Sequence, residues 1–455
     1  MDNHKEMNIN RLFENSLWLR MGRLLIIICI ILPITSMAQV DSIGIKKMVM
    51  NINGSVLKTP YFSNYSLDTA DYAIAHAVIV IHGTNRNADD YYANMSTAAS
   101  MRPFETDSLI IIAPQFLTEV DIDTFSLDNE HLYWSSGGWK SGSNSKNNVT
   151  NPRPEIISSF AVLDTIMLRL AQNFPNLTSI VFTGHSAGGQ VTNRYSATTP
   201  IIETLCDQFE VSTKFIVANP SSYLYLDKKR RDSATVNQFS IPLTTCNDYN
   251  DWKYGLDNLY TYPSNVGTNF IRDIFKKRQV VYLLGGNDNN PASSSLDVSC
   301  EAMLQGDHRL ERGTIYYNYL IDYYGNSILN YHTIDIITGV GHSNSDMYTS
   351  TTGLYHLFES YPYLCNNTVL SLLEETDIAF SFYPNPTRGF IVISSQLTDA
   401  SVIIYDTFGK MVKKIEHING SFQQINIGEL NDGTYILEFR ETDHKFTRRI
   451  IKFSP

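Results

Sequence analysis

The order of apolar and polar positions along the chain predicts a sheet before any single residue is weighed. Continuous apolar runs occupy residues 76–81, 108–113, 180–182, 214–218, 279–284 and 333–337. Short runs without alternation fit strands buried on both faces. Residues 155–174 place Ile156, Phe160, Leu163, Met167 and Leu170 at spacings of three and four, which predicts an amphipathic helix after Pro154. Strands separated by such helices predict an α/β class, a mostly parallel sheet flanked by helices.

Two stretches break this rhythm. Residues 219–275 are rich in Tyr, Asn and Asp and include Trp252 and Tyr254, so they read as a lid-like insertion or binding loop. After Cys365 the texture changes again, with a linker over 366–378 and short alternating strands at 390–393, 402–405 and 435–439. Turns at Asn385-Pro386, Phe408-Gly409 and Asn431-Asp432-Gly433 separate them. This pattern predicts a small all-β, immunoglobulin-like antiparallel sandwich over 379–455.

The N-terminal residues 1–38 read as an export signal, with Met21 as an alternative start. Arg20 and Arg23 precede the apolar run 24–32, then come Pro33 and the small-residue site Ser36-Met37-Ala38. Such a run is too short to span a bilayer, so no stable membrane span is expected once the signal is removed. Between signal and linker, residues 41–365 are left for one large catalytic domain.

The net charge of −11 over 455 residues, with no basic stripe, argues against a nucleic-acid partner. Cys206, Cys246, Cys300 and Cys365 would remain in an exported chain, and an even count predicts disulfides in any of three connectivities. No cysteine or histidine spacing suggests a metal, and the acidic stretch 121–130 lacks the central Gly of a calcium loop. No cofactor is called for.

Gly184-His185-Ser186-Ala187-Gly188 carries the chemistry. It follows the apolar run 180–182 and precedes helix-compatible residues, the setting of a nucleophile elbow. A Ser hydroxyl becomes a nucleophile only when a neutral imidazole takes its proton, and an anion must steady the imidazolium. His342 follows the last predicted strand in Gly339-Val340-Gly341-His342, and Asp288 follows an earlier one in Gly285-Gly286-Asn287-Asp288. Chain order therefore selects Ser186, Asp288 and His342 as the catalytic set. Oxyanion donors are expected at the backbone N–H of Ala187 and of Thr84, the latter in the loop Ile81-His82-Gly83-Thr84-Asn85. Asn85, Trp139, Tyr223 and Trp252 are candidates for lining the substrate mouth.

These pieces resemble the α/β-hydrolase superfamily over roughly residues 41–365. His82-Gly83-Thr84, Gly184 to Gly189, Gly286-Asn287-Asp288 and Gly341-His342 carry the likeness. Within it the chain looks like exported esterases of the polyhydroxybutyrate-depolymerase and feruloyl-esterase sort. The resemblance implies a serine hydrolase acting on a carboxylic ester, small molecule or polymer. A serine peptidase of the same fold and an inactive cell-surface binding protein are the alternatives. The C-terminal module resembles the type A sorting domain of the Bacteroidetes type IX secretion system. Residues 382–389, 404–410, 430–435 and 448–452 carry that match. It implies passage through the periplasm, recognition by the type IX machinery, removal of the module and a secreted or cell-surface destination.

Overall fold

The computed structural model describes residues 40–101, 108–232, 238–360, 362, 365, 381–383, 387, 389–406, 410–441 and 444–452. They divide into two units, Met1–Asn366 and Asn367–Pro455. The expected signal and linker lie outside the described residues.

In the first unit the described strands are β1 (Lys46–Ile52), β2 (Ser55–Ser63), β3 (His76–Ile81), β4 (Leu109–Pro114), β5 (Ser179–His185), β6 (Ser212–Ala218), β7 (Arg230–Arg231), β8 (Phe239–Ser240), β9 (Gln279–Gly285) and β10 (His332–Ile337). Strands β7 and β8 pair only with each other, and the rest form one sheet in the order β1-β2-β4-β3-β5-β6-β9-β10. From β4 to β10 every pairing is parallel, while β1 and β2 run antiparallel at one edge.

Side chains alternate across a strand, so one apolar run feeds two cores. Ile79, Ile81, Phe182 and Phe215 join a cluster with Phe160, Leu163 and Met167 of the helix Ser159–Asn173. Val78, Val80, Val181 and Ile216 join a second cluster with Tyr91 and Met95 of the helix Ala88–Ser100. The sheet is thus covered on both faces, as in an α/β-hydrolase. Only the edge strand β10 departs from the expected burial, with Ile336 51% exposed.

Part of the segment 219–275 packs into the core of the unit. Tyr223, Leu224, Tyr225 and Leu226 are fully buried in the first cluster. The Leu224 N–H donates to Asn193 Oδ1 (2.9 Å) and the Tyr225 N–H to the Tyr254 carbonyl (3.0 Å). A disulfide ties Cys246 to Cys300, and another joins Cys206 to Cys365. Aromatic burial on this scale stabilises by about 2 kcal/mol or more per side chain, so residues 223–226 pack as core.

The second unit is all antiparallel: β11 (Ser381–Tyr383), β12 (Phe390–Asp406), β13 (Met411–Asn426), β14 (Gly433–Glu441) and β15 (His444–Lys452). Two of the predicted short strands are one long strand, β12, interrupted by register shifts between Ser394 and Val402. Such bulges let a long strand bend, so it serves two neighbours, β13 and β14, around a core of Ile391, Val402, Ile404, Leu437 and Phe439. Among the described residues no helix is long and apolar enough to cross a membrane.

Candidate active site

The chain turns sharply between β5 and the helix Ala187–Thr198, and Ser186 occupies the turn at φ 60°, ψ −117°. L-residues avoid this region, so the surroundings must hold it there. They do so through glycine contacts. A Cβ on Gly188 would lie 2.1 Å from the Ile81 carbonyl oxygen, and one on Gly184 would lie 2.4 Å from the Gly188 carbonyl. The two glycines let the helix start press against β3, which pushes Ser186 Oγ out of the backbone.

The Ser186 hydroxyl donates to His342 Nε2 (2.9 Å), and His342 Nδ1–H donates to Asp288 Oδ2 (2.7 Å). A carboxylate only accepts, which fixes the proton on Nδ1 and leaves the Nε2 lone pair facing the serine. Asp288 is 5% exposed and Ser186 9%, whereas the His342 side chain is a quarter exposed. Asp288 also receives Arg309 Nη1 at 3.5 Å, and the same guanidinium donates to Ser293 Oγ and Ser295 Oγ. Sequence reading missed Arg309, whose helical stretch carried no motif.

The loops bearing Asp288 and His342 are stitched together by backbone. The Gly286 N–H donates to the Ile337 carbonyl (2.9 Å) and the Asn287 N–H to the Val340 carbonyl (2.8 Å). Asn219, at the end of β6 with φ 43°, completes the seam. Its Oδ1 accepts the Gly285 N–H (2.8 Å), and its Nδ2 donates to the Gly341 carbonyl (3.3 Å). One buried side chain therefore spans the ends of three strands. Its left-handed backbone, tolerated by Asn, was the sequence signal available for it.

Facing the elbow is the loop after β3. His82 is fully buried, and burial lowers its pKa to about 4, so it stays neutral. Its Nδ1–H donates to the Gly83 carbonyl (2.9 Å), and its Nε2 accepts the Phe116 N–H (3.0 Å). Thr84 and Asn85 are exposed at the loop tip. Arg86 follows at φ 61°, its guanidinium paired twice with buried Asp121 (2.9 and 3.0 Å). Burial pushes the Asp121 carboxyl up, but Arg86 and the Thr118 N–H and hydroxyl outweigh it and hold it below the ordinary value.

These elements enclose a cavity of about 510 Å³ at Ser186. Thr84, Asn85, Ser186 and Ala187 line it, and Ala187, the first helical residue, has an N–H with no partner inside its helix. Trp139, Tyr223 and Trp252 do not line it, which corrects the expectation for all three. Trp139 and Tyr223 are 0% exposed and Trp252 is 7%. Trp139 packs against His82 and Phe116, Tyr223 stacks on Tyr316, and Trp252 Nε1 donates to the Ser141 carbonyl. Their sequence neighbours Lys140, Ser221 and Lys253 line the cavity instead. Among the described lining residues Leu296 has the one large apolar side chain.

Residues 381–453 match the family described as secretion system C-terminal sorting domain. No curated protein gives a significant match. Among solved structures, poly(aspartic acid) hydrolase-1 from Sphingomonas sp. KT-1 is similar at 22% identity, over 69% of this chain and 98% of that one, with a TM-score of 0.43. A poly(3-hydroxybutyrate) depolymerase from Bordetella parapertussis is similar at 17% identity, over 70% and 92%, with a TM-score of 0.44. An immunoglobulin-like β-sandwich protein from Bacteroides vulgatus covers 17% of this chain and 98% of its own, at 16% identity and a TM-score of 0.14. An α/β-hydrolase fold is thus followed in this chain by the sorting domain that marks proteins sent by the type IX secretion system to the cell surface or outside.

Proposed function

We propose that this exported protein is a serine hydrolase that cleaves a carboxylic ester through an acyl-enzyme. The observation that carries the reading is the unbroken hydrogen-bonded line from Ser186, on its strained elbow, through His342 to Asp288. Ser186 Oγ attacks the carbonyl carbon while His342 Nε2 takes the hydroxyl proton, and the carbonyl π pair moves onto oxygen. The N–H groups of Ala187 and Thr84 meet that oxyanion. As the carbonyl re-forms, the alkoxide leaves with the proton from His342. Water, deprotonated by the same imidazole, then releases the acid and restores Ser186. Asp288 holds the imidazole tautomer and steadies its cation.

A fluorophosphonate should form one covalent adduct, mapped by mass spectrometry to Ser186. Ser186→Ala should lose the adduct and about 10³-fold or more of turnover while melting at an unchanged temperature. Turnover retained by that variant would refute the assignment. Paired p-nitrophenyl esters and aminoacyl p-nitroanilides decide between ester and amide; faster anilide cleavage makes the protein a peptidase.

A further inference from the structure

The cavity at Ser186 is lined by hydroxyls, amides, two ammonium groups and the Asp297 carboxylate, with Leu296 as the one large apolar side chain among the described residues, a poor surface for an aliphatic acyl chain. Lys140 donates to Thr84 Oγ1 (2.8 Å) and lies over the Trp139 ring, and among the described residues no carboxylate is within ion-pair distance of it. Lys253 lies over the Tyr254 ring and meets Asp297 Oδ2 only at 4.0 Å. Asp297 is itself engaged, accepting from the Tyr254 hydroxyl (2.8 Å) and the Ser299 N–H (3.2 Å).

The placement of the two lysines is built from inside. Arg194, on the helix that follows Ser186, is 0% exposed. Its Nη1 donates to the Lys140 carbonyl (3.0 Å) and to Gln190 Oε1, its Nε donates to the Lys253 carbonyl (3.2 Å), and its Nη2 donates to Ser222 Oγ (3.0 Å). One buried guanidinium thus fixes both lysine backbones to the nucleophile helix and adds a third positive charge behind them. Lys140, Lys253 and Arg194 outnumber the carboxylates beside them, which are Asp297, already engaged, and Glu301. Such an excess in a low-dielectric site is unfavourable until an anion arrives.

We propose that Lys140 and Lys253 form an anion subsite beside Ser186, and that the substrate carries a carboxylate close to the bond that is cut. This inference rests on the serine-hydrolase reading above. The ammonium groups respond to their surroundings accordingly. Burial, then Lys253 and Arg194, lower Lys140 to a pKa of about 8, and burial, then Arg194, lower Lys253 to about 8.

The test compares matched substrates on the full-length protein. Mono-p-nitrophenyl succinate carries its carboxylate on the acyl side, and 4-acetoxybenzoate carries it on the leaving group. Their methyl esters are the neutral partners. Charge-assisted contacts predict a kcat/KM at least about tenfold higher for one charged member than for its neutral partner, and the arm that shows it tells which side of the ester faces the lysines. Lys253→Gln should cut that ratio about tenfold, and Lys253→Arg should keep most of it. The ratio should also fall above pH 8 as the lysines lose their protons. The charged groups around Lys140 in that titration are Lys253, Arg194, Asp297 and Arg86, and those around Lys253 are Arg194, Asp297 and Glu301. Wild-type protein that takes the fluorophosphonate adduct yet prefers neither charged ester overturns the anion subsite and leaves the serine mechanism standing. Folded protein that takes no adduct overturns both.

Discussion

On the nucleophile side of the cavity the backbone does the holding. Ser186 keeps its strained dihedrals because Gly184 and Gly188 let β5, β3 and the following helix touch without side chains between them. Across the cavity, the loop bearing Thr84 is held by side chains, through Arg86 clasping Asp121 and His82 bridging Gly83 to Phe116. A contact made by backbone can be broken only by adding atoms. A contact made by charge can be broken by removing one group, or by protons. The two halves of the proposed site should therefore fail in different ways.

The largest effect is expected from the charged half. Arg86→Met leaves the Asp121 carboxylate buried without its partner, and loss of one member of such a pair costs about 3–5 kcal/mol. Urea unfolding should report this, and any folded remainder should have a lower kcat, since Thr84 lies two residues away. The contrast sharpens with Asp121→Asn plus Arg86→Met, which removes both charges and should recover part of the loss.

Next comes the backbone half. Gly188→Ala places a methyl 2.1 Å from the Ile81 carbonyl oxygen, and a clash that neither strand nor helix can relieve cheaply costs about 3 kcal/mol. The expected result is a lowered melting temperature and slow fluorophosphonate labelling of Ser186. Normal labelling in a stable Gly188→Ala protein would contradict the claim that close approach holds the elbow.

The seam between the Asp288 and His342 loops should respond more mildly. Asn219→Ala removes the contacts to Gly285 and Gly341 and one from Nδ2 to His185 Nε2 (3.4 Å), from a residue with positive φ, with an expected loss of about 2 kcal/mol in stability. Its kcat should fall more than its KM rises, because the defect lies in how the imidazole is aimed.

Acid gives the most graded test. His82 and His332 titrate near 6.5 when unfolded and are lowered to about 4 by burial. The unfolded chain therefore binds more protons between these values, and stability should fall as pH drops from 6.5 to 4. Asp121 adds a second step: held below its ordinary value of 3.8, it contributes stability that is lost as pH falls below that value. The elbow glycines have nothing to titrate. Melting temperatures should fall progressively across this range.

The two halves also differ in how readily they can be read along the chain. Ser186 announces itself because a turn between a buried strand and a helix demands small residues at fixed positions, a local requirement. The turns carrying Asp288 and His342 follow β9 and β10 for the same reason. The cavity wall obeys no local rule, because its members come from separate loops. At Trp139-Lys140 and Trp252-Lys253 the larger aromatic attracts attention as a binding residue, yet successive residues in a tight turn face opposite ways. The indole goes to the core, where its area counts most, and the ammonium goes to the cavity. The buried part of the insertion was hard to read for a related reason, since its Tyr-rich composition looks polar while Tyr223 and Tyr225 pack edge and face against Tyr316 and Tyr319. Arg309 and Arg194 were invisible because a buried guanidinium in a helix leaves no mark in the pattern.

The bond between Cys206 and Cys365 has a consequence for the life of the secreted protein. It fastens the last turn of the hydrolase unit to a helix beside its central sheet, one residue before that unit ends at Asn366. A protease that trims the chain beyond this point would find no loose thread to pull. The released unit would carry its own knot into an environment where nothing is left to refold it.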